Sequence, residues 1–168
     1  MTSTYQQELC LQELCSFEIY LWLQQDTVNE AAGVVDLINC KASVHGVTNG
    51  GIVNLNGGEY IYKGGTNEGT INVDGTGVQA TYLADNTGTI NINMGTVTAT
   101  IGSNSGTINM LSGAAQAMFT TNTGTINISD GVTGSLTVPG TGQTGSIYYK
   151  GAIITASMDD GAVSITIT

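Results

Sequence analysis

A seven-residue string recurs four times in this chain with almost no change, and it constrains the fold more than any other feature. Each copy reads Asn, a variable residue, Gly, Thr, Ile, Asn and an apolar residue, and the copies start at Asn67, Asn86, Asn104 and Asn122. Their starts are separated by 19, 18 and 18 residues. A fixed period of this kind indicates a repeat architecture, in which each unit packs against its neighbours along the chain.

Weaker copies of the same string extend the repeat in both directions. Two precede the clear copies, at Ala31–Leu37 and Asn49–Leu55, and two follow them, at Gln143–Tyr149 and Asp159–Ile165. A period near 18 residues is too short for helical repeats, which need roughly 33–47 residues per unit. Within each copy, apolar and polar residues alternate, which is typical of a strand with one buried face.

We therefore predict an all-β fold, a triangular β-solenoid of about eight coils over residues 31–168. Three strand sides of roughly six residues each would complete one turn. The Gly of the repeat is expected at a corner, where a positive φ or a close backbone approach excludes a side chain. The Asn before it is expected to tolerate left-handed geometry and to bond nearby backbone. The corner glycines are Gly33, Gly51, Gly69, Gly88, Gly106, Gly124, Gly145 and Gly161.

Stacking of coils explains why the chain carries so few charges. Equivalent residues of neighbouring coils lie ~4.8 Å apart, so a charge at a repeated position would face its own copy. Only 10% of the residues are charged, and we expect uncharged Thr and Asn ladders that hydrogen-bond along the axis instead. With three Lys, no Arg and a net charge of −10, nucleic acid and anionic membranes are not expected partners.

Residues 1–30 lie outside the repeat and are predicted to form an N-terminal anchor or cap segment. We expect a helix to about residue 25, with an alternating strand over residues 17–24 as the other possibility. The segment would cover the open edge of the first coil, dock on a partner, or do both. The candidate docking and oligomerisation residues are Tyr5, Leu9, Leu14, Phe17, Leu21 and Trp22.

The other end of the predicted solenoid has an edge strand, Val163–Thr168, for which the sequence offers no cap. A solenoid needs such an edge to be blunted or paired. We therefore expect another subunit or another protein to cover it, with Tyr148 and Tyr149 contributing to the contact. This expectation favours a homo-oligomer.

Residues suited to catalysis are few and scattered. His45 is the single histidine, and the three cysteines lack the spacing of a metal site. Asp74 and Asp130 occupy similar places in coils that lie ~14 Å apart, beyond the ~5–9.5 Å separation of glycosidase carboxylates. We therefore predict no enzymatic activity, no catalytic residues, no cofactor and no metal site.

The coil motif, represented by Asn86–Ile92 and preceded by a short apolar N-terminal segment, resembles bacteriophage fibre proteins. In those proteins an N-terminal part anchors to the capsid or tail, and a β-solenoid shaft projects outward, usually as a trimer. The resemblance implies a structural virion protein, a short head fibre or capsid decoration or a tail-fibre component. It also implies a trimer and a capsid or tail protein as the partner of residues 1–30.

The chain also resembles two other classes of β-solenoid protein. Bactofilins are cytoskeletal proteins whose uncapped triangular solenoids polymerise end to end, although they usually have disordered tails in place of an apolar N-terminal segment. Ice-binding solenoids and bacterial adhesins also carry regular hydroxyl arrays. The outward Thr-x-Asn positions here are similar to such arrays, although ice-binding solenoids favour Thr-x-Thr strings such as Thr96–Thr100.

Overall fold

The computed structural model is an all-β parallel β-solenoid, in which strand segments of successive repeats stack directly on one another. It describes residues 9–10, 28–45, 48–63, 65–74, 79–82, 85–93, 96–138, 143–150, 152–153 and 163–167. Within these residues the structure contains strands and turns and no helix. The all-β solenoid prediction is therefore confirmed.

The strands follow the repeat along the chain. In order they are β1 (Leu9–Cys10), β2 (Val28–Asn29), β3 (Val34–His45), β4 (Thr48–Asn49), β5 (Ile52–Lys63), β6 (Thr66–Asn67), β7 (Thr70–Asp74), β8 (Gln79–Tyr82), β9 (Asp85–Asn86), β10 (Thr89–Ile92), β11 (Thr96–Asn104), β12 (Thr107–Asn122), β13 (Thr125–Val138), β14 (Ser146–Tyr149), β15 (Ala152–Ile153) and β16 (Val163–Ile167).

Three stacks of paired segments recur in the repeat. The first stack contains the Thr-Ile-Asn strings, and its parallel register runs without a shift from the start of β3 through β5, β7, β10, β12 and β13 to β14. The second stack contains the later halves of the long strands, such as Thr96–Ile101 of β11 on Ala114–Phe119 of β12. The third contains short segments that end in Asn, such as β4 on β6 and β6 on β9.

The core consists of apolar ladders inside this stack. Along β7 and β10, buried residues alternate with half-exposed ones, as the period of two predicts. Side chains of the second stack complete the core with Ile101, Phe119, Val132 and Leu136, each at most 1% exposed. Each fully buried aliphatic side chain contributes about 1.5–3 kcal/mol. The two ladders of the first stack are Val53, Ile71, Ile90, Ile108, Ile126 and Ile147, and Leu55, Val73, Ile92, Met110 and Ile128.

The corner glycines are required by close backbone approach. A Cβ built on Gly106 would lie less than 3.0 Å from the carbonyl oxygen of Gly88. A Cβ built on Gly124 would lie equally close to the carbonyl oxygen of Gly106. Among the described glycines, a positive φ occurs instead at Gly57 (68°) and Gly58 (113°), after the first-stack segment of β5. The prediction that a close backbone approach excludes a side chain is confirmed at the described corner glycines. The prediction of a positive φ at these glycines is wrong.

The N-terminal prediction of a helix is wrong at Leu9–Cys10. These two residues form β1, which pairs in parallel with Val35 and Asp36 of β3 and so extends the first stack by one short segment. This pairing satisfies backbone groups that the first coil would otherwise leave at its edge. The rest of the predicted helix, and the strand considered over residues 17–24, lie outside the described residues.

The C-terminal strand does not form the predicted last parallel coil. Instead of stacking as an eighth parallel coil, β16 turns back and pairs antiparallel with Gly134–Val138 of β13. Likewise β15 pairs antiparallel with Tyr148 and Tyr149 of β14. Lys150 enables this second reversal because its φ of 51° is the left-handed geometry that two-residue hairpin turns need. The chain therefore covers these edges itself, and the predicted total of eight stacked coils is not confirmed.

The glycine packing leads to a prediction with an internal control. Gly106→Ala should destabilise the fold by about 1–3 kcal/mol or more, because its Cβ would force the backbone of the neighbouring coil away. Gly131→Ala should have little effect, because its Cβ would meet its nearest neighbour at 3.6 Å. Urea unfolding followed by circular dichroism measures both variants. Equal unfolding midpoints would contradict the steric explanation.

Candidate functional site

The asparagines that precede the corner glycines form a ladder inside the solenoid. Asn49, Asn67, Asn86, Asn104 and Asn122 are each at most 1% exposed. From Asn49 to Asn104, each side-chain Nδ2 donates a hydrogen bond to the Oδ1 of the corresponding Asn in the following coil, over 2.6–2.8 Å. The series thus forms a continuous buried chain of amides along the axis.

The amides of Asn49, Asn67 and Asn86 also bond backbone at the corner. Asn86 Nδ2 donates to the carbonyl oxygens of Thr107 in the following coil, at 3.2 Å, and of Gly88 in its own coil, at 3.2 Å. The backbone carbonyl of Asn67 accepts from the N–H groups of Thr87 and Gly88. The predicted local bond is therefore present, whereas the predicted left-handed backbone is not, since these Asn residues do not have positive φ. Among the described residues, every buried side-chain N or O atom has a partner.

The two ends of this buried ladder depart from the pattern of the repeat. At the N-terminal end, the repeat in the sequence predicts Ala31 at this position, but the structure has Asn29 there. Asn29 Nδ2 donates to Asn49 Oδ1 at 2.8 Å. At the C-terminal end Gln143 takes the place of Asn and accepts from Asn122 through Oε1 at 2.9 Å. A side-chain amide therefore occupies every described position of the ladder, and each amide has both an N–H donor and a carbonyl acceptor for its two neighbours.

A second amide ladder lies on the outside of the first stack. Asn72 Nδ2 donates to Asn54 Oδ1 at 2.8 Å, and Asn54 donates to the carboxylate of Asp36 at 2.6 Å. The later members, Asn91, Asn109 and Asn127, continue the series at 2.8 Å per step. The donors point towards the N-terminal end, opposite to those of the buried ladder. The predicted axial Asn ladder is confirmed, beside a row of half-exposed threonines at positions 70, 89, 107 and 125.

The regular face ends in a cleft at β14. The cleft has a volume of about 420 Å³ and is lined by Asn127, Ile128, Ser129, Asp130, Tyr148 and Lys150. The Lys150 ammonium forms an ion pair with the exposed Asp130 carboxylate and lies 5.3 Å from the ring centroid of Tyr149. The hydrogen bond to Asp130, and then the charge of Asp130, raise the pKa of Lys150 above its usual 10.5. Lys150 is therefore a cation whose charge is compensated locally.

Of the candidate docking residues, only Leu9 lies in the part of the chain that the structure describes. Leu9 lies in β1, while Tyr5, Leu14, Phe17, Leu21 and Trp22 are outside the described residues. His45 ends β3, paired in register with Lys63, and Asp74 ends β7, three strands of the first stack before the strand of Asp130. Within the described ranges no three His, Cys, Asp or Glu residues are grouped as a metal site would need, and no helix is long and apolar enough to cross a membrane.

The cleft was not predicted from the sequence, although one feature of the sequence indicates it. Tyr148 interrupts an outward series that is otherwise Asn, and Lys150 with Gly151 follows immediately as a pair suited to a tight turn.

Comparison of the chain with protein-family models, curated proteins and solved structures finds no match. The functional argument therefore depends on the chain's own residues.

The buried ladder predicts a pH-dependent defect. In Asn86→Asp the new carboxylate would face three acceptors, Asn104 Oδ1 and the carbonyl oxygens of Thr107 and Gly88. Burial of the charge should raise the pKa of this carboxyl above its unfolded value of about 3.9, so stability is lost as the pH rises past that value and recovered at lower pH. We expect a loss of about 3 kcal/mol or more at pH 7.

Asn91→Asp is the matched control, because Asn91 is half-exposed in the outer ladder of the same coil. Its carboxylate could still accept from Asn109, so the loss should be about 1 kcal/mol and depend weakly on pH. Urea unfolding of both variants at pH 4 and pH 7 makes the comparison. Similar losses at pH 7 would show that the buried ladder is not the more demanding site.

Proposed function

We propose that this protein is a non-enzymatic structural component of a bacteriophage particle, a short head fibre or capsid decoration or a tail-fibre part. The observation that carries the proposal is the continuity of the two amide ladders, which bond each coil to the next inside and outside the sheet. Together with the parallel backbone pairing, they make bending or separation of coils costly. A rigid projecting shaft uses this property directly.

The attachment site in this proposal is the N-terminal segment, residues 1–30. Its apolar residues, Trp22 among them, would be buried against a capsid or tail protein. The pairing of β1 with Val35 and Asp36 supports this arrangement, because it joins part of the anchor to the first coil of the shaft. Force on the shaft would then pass into the anchor through backbone hydrogen bonds.

The shaft is proposed to associate as a trimer. Leu111 and Met118 of β12 are the residues proposed for the lateral contact, because they expose 46% and 52% of their apolar side chains. A bactofilin-like filament is less well supported, since β15 and β16 occupy edges on which a second solenoid would stack. Ice binding is also less well supported, because the outer Asn amides already bond one another along the axis.

Native mass distinguishes these assemblies. Size exclusion with light scattering should give one species near 52 kDa, the mass of three 17.3 kDa chains. Leu111→Ser with Met118→Ser should shift it towards the monomer, whereas Thr89→Ser, which removes no large apolar side chain, should not. A monomeric native protein would overturn the trimer, and a polydisperse polymer would favour the filament.

Deletion of residues 1–27 tests the anchor. The deletion keeps Asn29, the first member of the buried ladder, so the solenoid should remain folded by circular dichroism. In phage particles that encode this chain, the full-length protein should be incorporated and the truncated protein should not. Incorporation of the truncated protein at the full-length level would overturn the anchor assignment.

A further inference from the structure

The outer Asn ladder stops at Tyr148. Along the first stack this position is Asn in five successive segments, and Tyr148 pairs in register with the last of them, Asn127. Asn127 Nδ2 donates to Asn109, but the following segment has no amide to donate to Asn127 Oδ1. The ladder therefore ends with an amide acceptor and a half-buried aromatic ring next to each other, both lining the cleft.

The cleft presents complementary chemistry on its other sides. Ser129 contributes a hydroxyl, and Asp130 and Lys150 contribute a carboxylate and an ammonium group. The backbone of Lys150 is fixed against β13, because its N–H donates a hydrogen bond to the Ile128 carbonyl oxygen at 3.0 Å. The volume of about 420 Å³ lies within the roughly 300–1,000 Å³ of small-molecule sites.

Charge selects the kind of ligand. The cation and the carboxylate in the cleft neutralise one another, so neither an anionic nor a cationic ligand gains a net attraction there. The chain's net charge of −10 further disfavours anions. A neutral ligand that combines an apolar face for the ring with several hydroxyls for the amide, hydroxyl and carboxylate fits all the groups present.

We propose that the cleft lined by Asn127, Asp130, Tyr148 and Lys150 is a binding site for a neutral saccharide. The C–H face of one sugar ring lies on the Tyr148 ring, and its hydroxyls bond Asn127 Oδ1, Asp130 and Lys150. The site does not rest on the proposed virion role, because it is formed within one chain.

Saturation-transfer NMR on the full-length protein tests the site with three probes at millimolar concentration. We expect chitotriose or maltotriose to bind and trigalacturonic acid to bind more weakly. Tyr148→Ala should weaken the binding roughly tenfold or more, and Tyr148→Phe should retain most of it. Asn72→Ala is the matched control, since it removes a side chain at the same register position three segments away from Asn127.

Each possible result either supports the saccharide site or overturns it. Saccharide binding that Tyr148→Ala abolishes and Asn72→Ala preserves would support the site, with circular dichroism verifying that both variants fold. No binding of either neutral probe, binding that Tyr148→Ala leaves unchanged, or preference for the acidic probe would overturn it. None of these results depends on the native mass or on particle incorporation, so the failure of one proposal is distinguishable from the failure of the other.

Discussion

The interaction on which the structure depends is the contact of each side chain with its own equivalent in the next coil. At a spacing of ~4.8 Å, a repeated residue must be compatible with a copy of itself. Aliphatic side chains meet this condition by packing, as in the ladder through Ile71, Ile90 and Ile108. Amides meet it by hydrogen bonding, since each has one donor side and one acceptor side. Carboxylates and ammonium groups do not, which accounts for the 10% of charged residues.

The polarity of the two ladders adds a second level of order. The buried ladder points its donors towards the C-terminal end, and the outer ladder points them towards the N-terminal end. Aligned amides polarise one another within each ladder, while their opposite directions let the two axial dipoles offset. The last donor of each ladder needs an acceptor that is not another Asn. The Asp36 carboxylate accepts from the last donor of the outer ladder, and the Gln143 side-chain amide accepts from Asn122 of the buried ladder.

The sequence predicts those parts of the fold that the period itself determines. The stack, the inward apolar ladders and the outer Asn ladder all follow from alternation within an 18-residue unit. The buried position of Asn67 was not predicted, because Asn beside Gly usually marks a turn, and only the contacts between coils make burial favourable. The reversal of β16 was not predicted either, because it depends on pairing with Gly134–Val138 rather than on the local pattern.

A strictly periodic surface offers every ligand the same groups at each coil, so it cannot define one discrete site. Distinct recognition can therefore arise only where the period is broken. In this chain the breaks are residues 1–30, before the repeat, and the segment around Tyr148 and Lys150, where the outer ladder ends and the strand turns back. The proposed anchor and the proposed saccharide site occupy these two places. The coils between β1 and β14 separate the described part of the proposed anchor from the proposed saccharide site.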